Sequence, residues 1–108
     1  MTQLVDMAQT PQPPYYAVIF TSILANDSEE YAETSEQMLT LASQMDGYLG
    51  IDSARQEVGI SVSYWRDIES IRAWKANTEH QKAQQSGKHN WYKSYQVRIA
   101  KVEKHYSF

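Results

Sequence analysis

The 108-residue chain predicts an α+β fold, one antiparallel sheet with two helices on one of its faces. Three observations carry this expectation. Strand-like and helix-like segments follow one another in the order β, α, β, β, α, β. Each helical segment has an apolar stripe at three- and four-residue steps. The first and last strands are apolar or aromatic on both alternating sets, so both faces of the sheet need a cover. That order is the split βαβ, ferredoxin-like plan. Its second face stays open, and the expectation is that two copies pack sheet against sheet, the long last strand crossing to the partner.

Residues 1–14 hold Pro11, Pro13 and Pro14 among small polar side chains and are expected to form an extended or disordered arm outside the domain, which spans 15–108. The run YYAVIFTSIL, Tyr15 to Leu24, reads as a central strand. Asn26-Asp27-Ser28 followed by Glu29 and Glu30 supplies caps and acids for a helix start. From there Tyr31, Ser35, Met38, Ala42 and Met45 form one stripe that ends at Gly47. YLGIDSAR from Tyr48 and ISVSYW from Ile60 alternate on either side of Glu57-Val58-Gly59, as a β-hairpin does. Asp67 caps a second helix whose Ile68, Ile71 and Trp74 share a face. Thr78-x-x-Gln81 has the form of a capping box, which predicts a break after Trp74 and a fresh short helix from Thr78 to Gly87. The last strand, Trp91 to Tyr106, carries Tyr95, Val97 and Ile99 on one parity and Val102 and Tyr106 on the other. This switch predicts a bulge near Ala100 or Lys101, or a change of partner along the strand.

Composition excludes several functions. With 10 basic and 13 acidic residues spread along the chain, nothing matches the basic footprint of a nucleic-acid binder. The absence of Cys removes thiolate nucleophiles, thiolate metal sites and disulfides, in keeping with a reducing cytoplasm, the expected location. No stretch is long and apolar enough to span a bilayer. His80, His89 and His105 show no metal-ligand spacing, and no Ser sits in a Gly-x-Ser-x-Gly frame, so neither a metal site nor a nucleophilic serine is expected. The region from Tyr64 to Phe108 instead gathers all three Trp and all three His, side chains that join an apolar body to one polar handle and suit a pocket for a flat organic molecule.

Tyr64-Trp65, Ile71-x-x-Trp74, His80-x-x-Ala83-x-x-x-Gly87, Trp91-Tyr92-x-x-Tyr95 and a strand ending Tyr106-x-Phe108 closely resemble the antibiotic biosynthesis monooxygenase (ABM) family in its small stand-alone bacterial members. Gly47-Tyr48-x-Gly50 and Ser53-x-Arg55 extend the likeness upstream, so it covers the chain from about Tyr15 onward. The resemblance implies a dimeric α+β barrel with a ligand cavity between sheet and helices in each subunit. It also implies, as in some relatives, oxidation of polycyclic phenols with no metal, flavin or haem. Other relatives cut haem and carry an Asn in the first strand, a Trp on the second helix and a haem-ligating His ten positions after it. Here Trp74 matches, but Gln84 stands ten positions on, and Val18-Ile19-Phe20 holds no Asn. A haem-binding or haem-degrading role therefore lacks two of its three positions.

Within this frame His80 is expected to act as general base toward a phenol, its side chain titrating near neutrality. The alternative is a structural His that fixes the helix break. Trp74 is expected as pocket wall and indole donor, or as plain core. Tyr64 shares parity with Ile60 and Val62 and is the expected helix-side residue, while Trp65 would meet the partner subunit. Arg55, like Arg98, could balance a phenolate or carboxylate or simply face solvent. Trp91, with Tyr92 and Tyr95, belongs to the cavity lid or to the dimer interface, and Phe20 completes the substrate-binding set. The function read from the sequence is a cofactor-independent monooxygenase acting on a small aromatic phenol. The alternative is a dimer that binds a small organic molecule without turnover.

Overall fold

A computed structural model describes residues 6–25, 29–84 and 92–108, and no side chain at 29, 30, 34 or 80–84. The elements are β1 (Tyr15–Leu24), α1 (Glu29–Ser43), β2 (Tyr48–Arg55), β3 (Gly59–Trp65), α2 (Ile68–Gln84) and β4 (Tyr92–Val102). The strands form one sheet in the order β2-β3-β1-β4, every neighbouring pair antiparallel. This is the expected ferredoxin-like α+β plan. The expected cap at Asn26-Asp27-Ser28, the helix stop at Gly87 and Trp91 lie outside the described residues.

Register decides what each face displays, because directly opposed residues share a face. Tyr16, Trp65 and Tyr48 form one cross-strand row, and Val18, Ser63 and Ile51 the next. Phe20, Ser61 and Ser53 follow, then Ser22, Gly59 and Arg55. On β4 the same rows continue as Lys101, Ile99, Val97 and Tyr95. This is the helix-facing side. Ala42 of α1, Trp65 of β3 and Ile71 of α2 are its buried centre, with Tyr16, Val18, Met45, Tyr48, Ile68 and Trp74 packed around them.

Three expectations are corrected. Trp65, not Tyr64, points to the helices and is fully buried, while Tyr64 shares the open face with Val62 and Ile60. The open face of β3 is the one that carries the apolar Ile60 and Val62, so apolar parity points to the wrong face, and the serines at 61 and 63 are the ones on the helix side. Helix α2 runs unbroken from Ile68 to Gln84. Thr78 does not cap a new helix, for its hydroxyl donates back to the Lys75 carbonyl at 2.8 Å, and neither Pro nor Gly interrupts the segment. Strand β4 pairs with β1 in one register from Val102 to Ser94, so the irregularity is not at Ala100 or Lys101. It falls at the other end, where Ile23 and Leu24 meet Ser94 and Tyr92. The switch of parity rests on Val102, the last residue of β4, and on Tyr106, which lies beyond the strand and is 92% exposed, so no bulge is needed to explain it.

The link between the helices is tightly built. Gly47 has φ +87° at the end of the turn that follows α1, and its carbonyl accepts the Arg66 N–H at 2.8 Å. Asp67 caps α2 as expected, its Oδ1 accepting the Ser70 N–H at 2.8 Å and the Ser70 hydroxyl at 2.6 Å. Those two bonds hold the Asp67 carboxyl below its ordinary range. Arg66 grips Asp46 with two N–H groups at 3.2 and 3.0 Å and thereby lowers that carboxyl too.

On the open face, residues from both ends of the described chain converge on Tyr15. Its hydroxyl accepts from Thr10 Oγ1 at 2.9 Å and lies 2.8 Å from His105 Nδ1. The Ala8 N–H donates to Asp52 Oδ1 at 2.8 Å, and Asp52 Oδ2 accepts the Tyr64 hydroxyl at 2.9 Å. Tyr15 and Ala17 are buried there, whereas Ile23 and Ile60, farther along, stay exposed.

Candidate functional site

The helix-facing rows have aromatic ends and a small middle. At one end Trp65 donates its indole N–H to Ser63 Oγ at 2.9 Å, meets Tyr48 edge to face at 5.5 Å and stacks on Trp74 of α2 at 6.0 Å. The middle rows present Ser63, Ser61 and Ser53, side chains that reach little above the sheet. Six residues along β3 separate Trp65 from Gly59, a span of ~20 Å. In the same rows, on the far side of Val18 and Phe20 of β1, Val97 and Ile99 of β4 are 46% and 52% exposed although they face the helix side. Apolar surface is therefore left uncovered at the β4 end of the rows that carry the hydroxyls.

At the far end five side chains close together. Phe20 stacks on Tyr95 at 5.4 Å with planes 20° apart and meets Tyr92 edge to face at 5.3 Å. Tyr92 in turn touches Tyr95 and, at 5.8 Å, Tyr31 of α1. Burial pushes the Tyr92 phenol well above its ordinary range, and its hydrogen bond with Tyr31 adds to this, so it stays protonated and serves as donor or wall. Arg55, from the end of β2, lies over Gly59 of β3 and donates to the hydroxyl and the carbonyl of Ser22 on β1. A Cβ on Gly59 would fall 2.1 Å from that guanidinium. Glycine thus gives Arg55 its passage across the strand, and the Arg55 Cζ comes to rest 5.9 Å from the centre of the Tyr31 ring.

Two surface hollows lie elsewhere. One of about 200 Å³ sits between Met45, Arg66, Asp67 and Ser70, whose polar groups already satisfy one another. The other, about 360 Å³, is framed by Ala54, Arg55, Val58 and Ile60 at the β2–β3 hairpin, and its one charged wall, Arg55, gives two of its N–H groups to Ser22. Among the described residues no cluster of three or more His, Cys, Asp or Glu is placed to hold a metal ion, and no helix is long and apolar enough to cross a membrane.

A family model described as antibiotic biosynthesis monooxygenase matches residues 14–86, more than half of the chain. The chain belongs to that family. It is 46% identical over 100 residues to an uncharacterized Bacillus subtilis protein, YqjZ, an alignment covering 91% of this ABM chain and 88% of that protein. Among solved structures it is similar to SnoaB of Streptomyces nogalater, described as a cofactor-independent oxygenase, with a TM-score of 0.68 at 8% identity, covering 86% of this chain and 97% of that one. It is also similar in fold to a mutant of MhuD solved with two manganese protoporphyrin IX bound per active site, with a TM-score of 0.63 at 18% identity, covering 86% of this chain and 99% of that one. At such identities the likeness is one of fold, and this fold carries both a cofactor-independent oxygenase and a protein that binds a metalloporphyrin.

Of the residues singled out in the ABM chain's sequence, the structure brings Arg55 and Phe20 into one cluster. Trp74 stands at the opposite aromatic end, half-buried against Trp65. Tyr64 lies on the other face of the sheet. Position 80 is on the unbroken α2. The helix start on which the His80 assignment rested is absent, its side chain is outside the described residues, and so is Trp91. Sequence reasoning missed Ser22, Gly59 and Tyr31. Gly59 read as a turn residue; its distinguishing signal, a Gly directly across from an Arg in a hairpin, becomes visible only once register is known.

Proposed function

We propose that this ABM protein binds a small aromatic or polycyclic phenol against the helix-facing rows and oxidises it with dioxygen without a prosthetic group. The supporting observation is the serine-lined middle of the sheet, flanked by exposed Val97 and Ile99 and closed by Trp65 and Trp74 at one end and by Phe20, Tyr92 and Tyr95 at the other. Such a surface takes a flat apolar body while offering a few hydroxyls for orientation.

In this reading the substrate supplies the electrons. A proton leaves an anthrone-type CH₂, the resulting anion is oxidised by O₂, one oxygen atom stays as the new carbonyl and the other leaves as water. His80 takes the proton, Trp74 forms the wall, Phe20 and Trp91 hold the rings, and Arg55 balances the anion. Tyr64, on the opposite face, has no part in it. Two copies pack their open faces together, covering Ile23 and Ile60, and this packing shields the sheet behind the site. Light scattering reads the dimer directly.

Incubation with anthrone-like phenols under air and under nitrogen tests the reaction. Oxygen-dependent product that requires the protein is the expected result. No protein-dependent product across several phenols overturns turnover and leaves the second reading, binding alone. One observation favours that second reading: among the described side chains of the helix-facing rows there is no imidazole and no carboxylate to serve as base.

A further inference from the structure

We infer that the aromatic ligand of this site carries an acidic oxygen, a carboxylate or phenolate, and that Arg55, seated in the notch at Gly59, is what binds it. The inference rests on the proposed aromatic site and adds the charge of what fills it.

Arg55 does not lie there by default. A strand-end arginine beside a hairpin ordinarily turns to water or to a nearby acid. This one, although still exposed to solvent, lies across β3 over the gap that glycine leaves, and its guanidinium ends beside Ser22 and the ring of Tyr31. Among the described residues it makes no ion pair; the ion pairs there belong to Arg66. Ser22, 2% exposed, and the Tyr31 ring are uncharged, so among the described residues the cation has no counter-charge. A guanidinium has five N–H donors, and the contacts to Ser22 use two, which leaves three. A planar fork with donors to spare, next to stacked rings, suits an aryl carboxylate or phenolate. The ring lies along Phe20 and Tyr95, the acid oxygen meets the guanidinium, and the exposed flank of Val97 covers the remaining apolar edge.

The test compares anthracene carboxylate with the matching neutral anthracene carboxamide, titrated by ligand fluorescence at neutral pH and low salt. The native protein is expected to bind the carboxylate about ten-fold or more tightly than the carboxamide, the worth of a hydrogen bond to a charged group. Arg55→Gln removes the charge. Gly59→Ala keeps the arginine but fills its notch. Both are expected to erase the preference for the carboxylate over the carboxamide, with circular dichroism verifying the fold. Equal binding of the two probes by the native protein overturns the inference and leaves the aromatic site standing. A preference that survives both folded variants overturns the role of Arg55. Binding of neither probe overturns the aromatic site, and the inference falls with it. The native comparison needs no variant, so the test holds even where a substitution fails to fold.

Discussion

Trp65 and Trp74 stack 6.0 Å apart with planes 26° from parallel, joining the end of β3 to α2. Trp65 is completely buried, with its indole N–H bonded to Ser63 and its edge against Tyr48. Truncation to alanine removes the largest core side chain and opens a void beneath both helices. Trp65→Ala is expected to cost about 3–5 kcal/mol in urea unfolding. Trp74→Ala, only half-buried, costs less, and the pair should show a coupling of about 0.5–1.5 kcal/mol in a double-mutant cycle. A coupling near zero would mean that the stacking does not join helix to sheet.

The turn after α1 allows one residue only. Gly47 has a positive φ, and a Cβ there would lie 2.0 Å from the Ser70 hydroxyl that bonds Asp67. Gly47→Ala therefore strains the backbone and disrupts the cap of α2 at once, a loss of more than about 2 kcal/mol. Adding Ser70→Gly relieves the clash but not the φ strain, so a partial recovery of the thermal midpoint is expected. Full recovery would show that φ is unimportant, and none would show that the clash is.

The ease of reading the fold and the difficulty of reading the site have one physical cause. The six elements were legible because hydrophobic period and capping chemistry are local: Asp67 announces α2, and the stripe through Met38, Ala42 and Met45 announces α1. Which face of β3 meets the helices was not legible. Trp65 travels with two serines and Tyr64 with Ile60 and Val62, so the apolar set marks the open face here. The false break at Thr78 shows the same limit, since a capping box is decided by whether the chain before it is already helical. The Arg55–Gly59–Ser22 contact joins three strands, and only cross-strand register makes it visible. Phe20 and Arg55 were singled out as site residues, yet their meeting around Tyr31 was not foreseen.

Tyr64 gives the open face a pH signature. Burial, and then its hydrogen bond to Asp52, push its phenol up to about 12. In the unfolded chain a tyrosine ionises near about 10. Between those values the folded state keeps a proton that the unfolded state has lost, so stability falls as pH rises through the window and is intact below it. Thermal midpoints measured across the alkaline range should drop more steeply for the native protein than for Tyr64→Phe. Parallel curves would show that the phenol gains no protection from folding.

The serine rows allow binding and stability to be separated. Ser61 lies opposite Phe20 and Ser53 on the helix-facing side and is only half-buried. A leucine there would fill the low middle of the sheet on the side of Phe20. It would lay apolar atoms against the Phe20 ring across the strand, which offsets the lost hydroxyl. Ser61→Leu is accordingly expected to leave unfolding within about 1.5 kcal/mol of the native protein. The same leucine occupies the space a flat ligand needs, so affinity for anthracene carboxamide should fall about ten-fold or more, equivalent to about 1.4 kcal/mol. The neutral probe is the right one here, because its binding does not depend on Arg55. If Ser61→Leu folds as expected and binds the carboxamide as the native protein does, the ligand does not lie along this row, and the site must be sought on the other face of the sheet.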